Sequence, residues 1–122
     1  MDPAEAARSW IDAWTRGWIA HDADLIAARY SEACEFRSHP FREVQRGREG
    51  ARQYVLQAFA EERTARPNFA APIVDSDGRA AVEYRADITT VAGQETRLAG
   101  VSVLRFDPSG LVIEHRDYWA ME

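Results

Sequence analysis

A carboxylate near the end of the chain is the first residue whose type and setting could do chemistry. Asp117 lies in the last predicted strand, and strand alternation places it on the same face as His115 and Trp119. A carboxyl group in an apolar pocket has its charged form disfavoured, which suits it to general acid–base catalysis. The alternatives are a contact between two copies or an ion pair with an arginine, for which the candidates are Arg37, Arg105 and Arg116.

A histidine at the end of an earlier predicted strand is the second candidate. His39 directly precedes Pro40, and an imidazole can move a proton near neutral pH. The ring could equally bond to the backbone of the turn at Pro40. His39 shares a strand face with Glu35 and Arg37, and this face is either a polar pocket wall or a solvated strand edge. Alternation alone does not choose between the two.

Several kinds of site are excluded by residue counts. The fifteen basic residues are all arginine, so a Schiff-base lysine and a phosphate-loop lysine are absent. Cys34 is the one cysteine, and we expect it to be a small buried residue. The three histidines have no metal-ligand spacing. We therefore expect neither a metal nor a cofactor.

The first half of the chain is predicted to be mainly helical. Asp2 can cap a helix with Pro3 at its first position, and an apolar stripe follows at spacings of three and four. The stripe consists of Ala7, Trp10, Ile11, Trp14 and Trp18. Gly17 lies within it, where a bare backbone permits close approach. A second short helix is expected from Asp22 with Tyr30 in its repeat, and a third from about 48 to 63.

The second half is predicted to be strands joined by tight turns, after one earlier strand at 33–39 and a brief one within 41–45. Asp-Gly and Pro-Ser-Gly turns separate segments 69–74, 80–90, 96–106 and 111–121, and such connections give antiparallel pairs. In segment 80–90 we expect the apolar alternates to face inward and the charged ones outward. The inward set is Val82, Tyr84 and Ala86, and the outward set is Glu83, Arg85 and Asp87.

These elements and the composition define the class. Three helices over a bent antiparallel sheet make an α+β fold that encloses an interior space, and residues 1–122 have the length of a single domain.

The net charge of −5 disfavours nucleic acid as a partner. No apolar run approaches a membrane span and no signal peptide is seen, so we expect a cytoplasmic protein. Arginine without lysine suggests a GC-rich bacterial genome.

The order of short motifs resembles the SnoaL-like branch of the nuclear transport factor 2-like superfamily. The segments that carry it are Trp10-x-x-x-Trp14-x-x-Gly17, His39-Pro40-Phe41, Arg46 to Gly50 with Tyr54, Asp77 to Tyr84, Leu98-Ala99-Gly100, and Phe106 to Trp119. The resemblance implies a cone-shaped (cystatin-like) curved antiparallel sheet covered by three N-terminal helices, with a pocket between them. It also implies a homodimer formed through the open sheet face.

The resemblance does not select one activity, because the superfamily includes polyketide cyclases, isomerases, dehydratases, epoxide hydrolases and non-catalytic binding domains. In SnoaL-like cyclases an aspartate at what looks like the position of Asp117 is the acid/base. Ketosteroid isomerase carries an aspartate before proline where this chain has His39, which counts against that activity. The limonene type of epoxide hydrolase uses an Asp-Arg-Asp group, for which Arg85, Asp87 and Asp117 are candidates.

The sequence therefore predicts a protein that binds a small apolar or aromatic molecule and uses cofactor-free acid–base chemistry, as in cyclisation, isomerisation, hydration or dehydration. Asp117 would be the acid or base, with His39 or Tyr30 assisting at a developing oxyanion. The residues predicted to bind substrate are Trp14, Trp18, Arg37, Phe59, Tyr84 and Trp119. The alternatives are a non-enzymatic ligand-binding or dimerisation module and an interaction domain using the open sheet face.

Overall fold

A computed structural model describes residues 1–122 of the chain. The helices are α1 (Pro3–Ala20), α2 (Ala23–Ala27) and α3 (Gly47–Ala60). The strands are β1 (Tyr30–Arg37), β2 (Gln45–Arg46), β3 (Glu62–Phe69), β4 (Ile73–Val74), β5 (Ala80–Thr90), β6 (Glu95–Phe106) and β7 (Val112–Met121). None of the helices combines the length and the apolar character needed to cross a bilayer.

The strands form one curved, unclosed sheet, which confirms the predicted α+β class. Its order is β2-β1-β7-β6-β5-β3, and β4 pairs with the first residues of β5. Helix α1 packs against β3, β5 and β6, whereas α3 packs against β1. One pairing differs from expectation, because β1 runs parallel to β7. The whole β3–β6 meander separates these two strands in sequence, so no tight turn forces them to be antiparallel.

Helix α1 begins as the sequence predicts. The side chain of Asp2 accepts a hydrogen bond from the Glu5 backbone N–H at 2.9 Å, and Pro3 occupies the first helical turn. The helix ends at Ala20 and is capped by His21, whose φ of 54° is left-handed and lets the chain turn into α2. The tryptophan stripe of α1 is buried against the sheet.

Two predicted helices are longer than the observed ones. The expected second helix includes Tyr30, but α2 ends at Ala27 and Tyr30 starts β1, where it pairs with Val112 of β7. The third helix ends at Ala60 instead of near 63, because Glu62 begins β3 and pairs with Thr90. Strand pairing with distant segments outweighs the local helical period in both places. The brief second strand also lies slightly later than predicted, at Gln45–Arg46.

The predicted alternation on the sheet is confirmed. In β5, Val82, Tyr84 and Ala86 are buried while Glu83, Arg85 and Asp87 are exposed. In β1, Cys34 and Phe36 are buried, and Glu35 and Arg37 are exposed. The apolar faces of both strands therefore turn toward the helices.

Gly17 allows α1 and α2 to pack closely. An added Cβ would lie 2.6 Å from Cγ1 of Ile26 and 3.0 Å from the backbone oxygen of Asp22. We expect Gly17→Ala to lower the free energy of unfolding by about 1–3 kcal/mol, because overpacking outweighs the better helix propensity of alanine. Urea unfolding measures this change. In an Ile26→Ala background the same substitution should cost less, and an equal cost in both backgrounds would contradict the packing explanation.

Candidate active site

A cavity of about 300 Å³ lies between the helices and the inner face of the sheet. Twelve of its eighteen lining residues are hydrophobic. Helix α1 supplies one wall through Trp10, Trp14 and Trp18, which contact one another edge to face or at a tilt. The Trp18 indole N–H donates to Oε1 of Glu62 at 2.8 Å, which fixes that end of the wall.

Asp117 projects into this cavity from β7. It lies directly opposite Ser102 of β6, whose hydroxyl donates to Oδ1 at 2.5 Å. Nε2 of His115 lies 2.6 Å from the same oxygen. The side chain is only 14 % exposed. Its other oxygen, Oδ2, has no hydrogen-bond partner in the protein, and no arginine pairs with the carboxylate. The geometry therefore leaves one oxygen free to react.

His115 connects Asp117 to a buried tyrosine. The Tyr30 hydroxyl accepts from the indole N–H groups of Trp10 and Trp14, each at 3.0 Å, and lies 2.8 Å from Nδ1 of His115. With both lone pairs occupied, the hydroxyl must donate its own hydrogen to Nδ1. The hydrogen-bond network thus assigns the neutral tautomer in which Nε2–H donates to Asp117.

The aromatic rings around His115 hold its orientation. Phe36 stacks on the imidazole at a centroid distance of 4.1 Å, and Trp10 contacts it edge to face at 5.4 Å. The ring is 1 % exposed although its edge reaches the cavity. His115 is therefore a positioning residue that aims a fixed N–H at the carboxylate.

Tyr30 does not have the predicted place beside the substrate. It is fully buried behind His115 and does not line the cavity. Burial raises the pKa of its phenol far above the usual range, so the hydroxyl keeps its hydrogen and serves as a donor. An oxyanion in the cavity could not reach it.

Tyr84, unlike Tyr30, has a hydroxyl that can donate a hydrogen bond to a molecule in the cavity. It lines the cavity from β5, and its hydroxyl has no hydrogen-bond partner in the protein. Burial, and then the nearby charge of Asp117, raises the pKa of this phenol well above its ordinary value. Tyr84 therefore stays protonated and can donate to an oxygen of a bound molecule.

The opening of the cavity carries a guanidinium group. Arg42 lines the cavity and is exposed, and its charged carbon lies 5.3 Å from the ring centroid of Trp119. Its Nη1 donates to the Ser38 hydroxyl at 3.2 Å and to the Tyr54 hydroxyl at 3.4 Å. Trp119 itself is fixed by an indole N–H bond to the Ser38 carbonyl at 2.5 Å.

Two further predicted site residues, besides Tyr30, lie outside the cavity. Arg37 is on the exposed face of β1, because the alternation that buries Phe36 turns its neighbour outward. His39 packs edge to face on Trp119 at 4.9 Å, and its Nδ1 accepts from the Phe41 N–H at 3.5 Å. Of the two roles that the sequence left open for His39, the structure therefore shows the bond to the backbone of the turn at Pro40. Glu35 and Arg37 lie together on the exposed face of β1.

The remaining predicted binding residues all line the cavity: Trp14, Trp18, Phe59, Tyr84 and Trp119. Four of the other lining residues make the polar contacts around Asp117 and Arg42 described above and were not predicted as site residues: His115, Ser102, Arg42 and Tyr54. His115 could have been found, since it shares a strand face with Asp117. No group of three histidine, cysteine or carboxylate side chains is arranged to hold a metal ion. Arg85 and Asp87 are on the opposite face, so the Asp-Arg-Asp arrangement does not assemble.

Solved structures share this architecture. An epoxide hydrolase/cyclase-like enzyme, SalBIII, acting in pyran ring formation in the polyether salinomycin, superimposes with a TM-score of 0.77 at 20 % identity, covering 93 % of this chain and 89 % of that one. An LEH-like epoxide hydrolase of M. tuberculosis gives a TM-score of 0.75 at 15 % identity, covering 95 % of this chain and 83 % of that one. An NTF2-like protein of unknown function from an Exiguobacterium species gives 0.77 at 14 %, covering 91 % and 98 %. At these identities the likeness shows the fold.

Sequence comparison assigns the family. No curated protein matches the chain at a significant level. The SnoaL-like domain family matches residues 7–115, which span α1 to the middle of β7 and include His115. The match and the NTF2-like structural neighbours agree with the resemblance drawn from the motifs. The chain therefore belongs to the family of SnoaL-like domains.

Proposed function

We propose that the protein is a cofactor-free acid–base enzyme that acts on a small, largely apolar carbonyl compound. The observation that carries the proposal is the unequal hydrogen bonding of the two carboxylate oxygens of Asp117. One of its oxygens accepts from Ser102 and His115, and the other is free inside a cavity with an aromatic wall. A structural carboxylate would be expected to use both oxygens in ion pairs or backbone contacts.

The chemistry follows from where the free groups lie. Oδ2 of Asp117 takes a proton from the carbon beside the substrate carbonyl, and the electron pair of that C–H bond forms the enolate. The Tyr84 hydroxyl donates to the developing enolate oxygen. The neutral Asp117 then returns its proton to a different carbon in an isomerisation. In a cyclisation the enolate carbon attacks a second carbonyl carbon, the π electrons of that C=O bond move to its oxygen, and the resulting alkoxide takes the proton back from Asp117.

The structural neighbours support enzymatic use of this fold. Two of them are described as an epoxide hydrolase/cyclase-like enzyme and an epoxide hydrolase. The Asp-Arg-Asp group expected for the limonene type is not assembled in this chain, so we favour proton abstraction over epoxide opening. The aromatic wall alone would also suit a non-enzymatic binding module, which is the second candidate.

Proton abstraction can be tested without the natural substrate. We choose indanone, a small neutral bicyclic ketone, as the probe. It suits the site because a cavity of about 300 Å³ is at the small end of the range for ligand sites. In D₂O the protein should speed replacement of the hydrogens beside the carbonyl by deuterium, by about 10²-fold or more over the spontaneous rate. Proton NMR follows the exchange. Bound indanone without faster exchange would favour the binding module over the enzyme.

A further inference from the structure

Arg42 is the one guanidinium among the residues that line the cavity. It makes no ion pair, although the chain carries twenty acidic residues and a net charge of −5. The carboxylate of Asp117 lies within the same cavity but bonds to Ser102 and His115 instead. Glu61 also lines the cavity, and neither it nor Asp117 forms an ion pair with Arg42, so the guanidinium is free to pair with an anionic group.

The guanidinium is also held in place. Both hydrogens of Nη1 are used, one on Ser38 and one on Tyr54, and the ring of Trp119 lies under the group. These three contacts come from Ser38, which directly follows β1, from α3 and from β7. Nε and Nη2 have no acceptor in the protein. The N–H of Nε and the adjacent N–H of Nη2 form the side of the fork that matches the two oxygens of a carboxylate.

We infer that the substrate carries a carboxylate on its apolar or aromatic frame and that Arg42 binds it at the opening of the cavity. This inference rests on the proposed function and names the substrate class of the same site. The frame lies along the tryptophan wall, and the carbon that loses its proton faces Asp117. Repulsion between Asp117 and a second carboxylate would oppose the reverse orientation.

A matched pair of ligands tests the inference. We would compare the carboxylate derivative of indanone, with the acid on its benzene ring, and the methyl ester of the same compound. Calorimetric titration should give a dissociation constant about tenfold lower for the carboxylate, and this preference should weaken at high salt. Arg42→Gln should remove the preference, and Arg42→Lys should retain part of it. Arg37→Gln is the control, because Arg37 lies on the exposed face of β1.

The outcomes separate the two proposals. Equal affinity for acid and ester, or a preference that survives in Arg42→Gln, overturns the inference and leaves the acid–base enzyme standing. If indanone and its derivatives neither bind nor exchange, the proposed function fails and the inference fails with it. Circular dichroism of each variant shows whether it is folded, and the lysine variant keeps the test valid if the glutamine variant is not.

Discussion

Asp117→Asn should lower the rate of deuterium exchange on bound indanone by about 10²-fold or more, to near the spontaneous rate, because it removes the general base. The amide has the same shape as the carboxyl group, and its oxygen can still accept from Ser102 and His115, as Oδ1 does now. The group facing the cavity becomes an NH₂, which cannot take a proton from carbon. Binding of indanone should change little.

The control for this substitution is Asp87→Asn. This substitution removes the same negative charge from β5. Asp87, however, is on the exposed face of the sheet and does not line the cavity. Its exchange rate should equal that of the wild type. Unchanged exchange in Asp117→Asn would show that Asp117 is not the base. Calorimetric titration of both variants separates a loss of chemistry from a loss of binding.

The elements that carry the site could be predicted because local signals agree with tertiary packing. Asp2 caps α1, the tryptophan stripe has helical spacing, and the apolar alternates of β5 face the core. Asp117 and Tyr84 follow from that alternation, since inward positions on a curved sheet are the positions that meet a cavity. The α+β fold class and the choice of Asp117 as the first catalytic candidate therefore rest on patterns within short stretches of the sequence.

Contacts between distant segments could not be predicted in the same way. Tyr30 meets His115 only because β1 joins β7 in parallel, with Phe36 opposite His115, and no turn in the sequence sets that register. Ser102 meets Asp117 across a hairpin with an irregularity at Arg105 and Phe106, so counting back from the turn would miss the register. The charge at the cavity opening lies on a loop without periodicity. Association into a homodimer stays a prediction.

The second large expected effect is a loss of stability when the hydrogen-bond network of Tyr30 and His115 is broken. Tyr30→Phe should lower the free energy of unfolding by about 3 kcal/mol, because one lost hydroxyl leaves several buried polar atoms without partners. The indole N–H groups of Trp10 and Trp14 lose their acceptor, and Nδ1 of His115 loses its donor. The change in packing volume is small, so the loss reports hydrogen bonding. Urea unfolding followed by tryptophan fluorescence measures it.

Tyr54→Phe is the matched control, since it removes a hydroxyl from another aromatic neighbour of Phe36. The neighbours of that hydroxyl are Arg42 and Ser38, which keep their bond to each other, and Arg42 is exposed to water, so the expected cost is below about 1 kcal/mol. Equal losses in the two variants would show that the Tyr30 hydroxyl has no special structural role. A large loss confined to Tyr30→Phe would mean that the bonds which fix the tautomer of His115 also stabilise the fold. Asp117 would then receive its hydrogen bond from a group that cannot reorient without partial unfolding of the core.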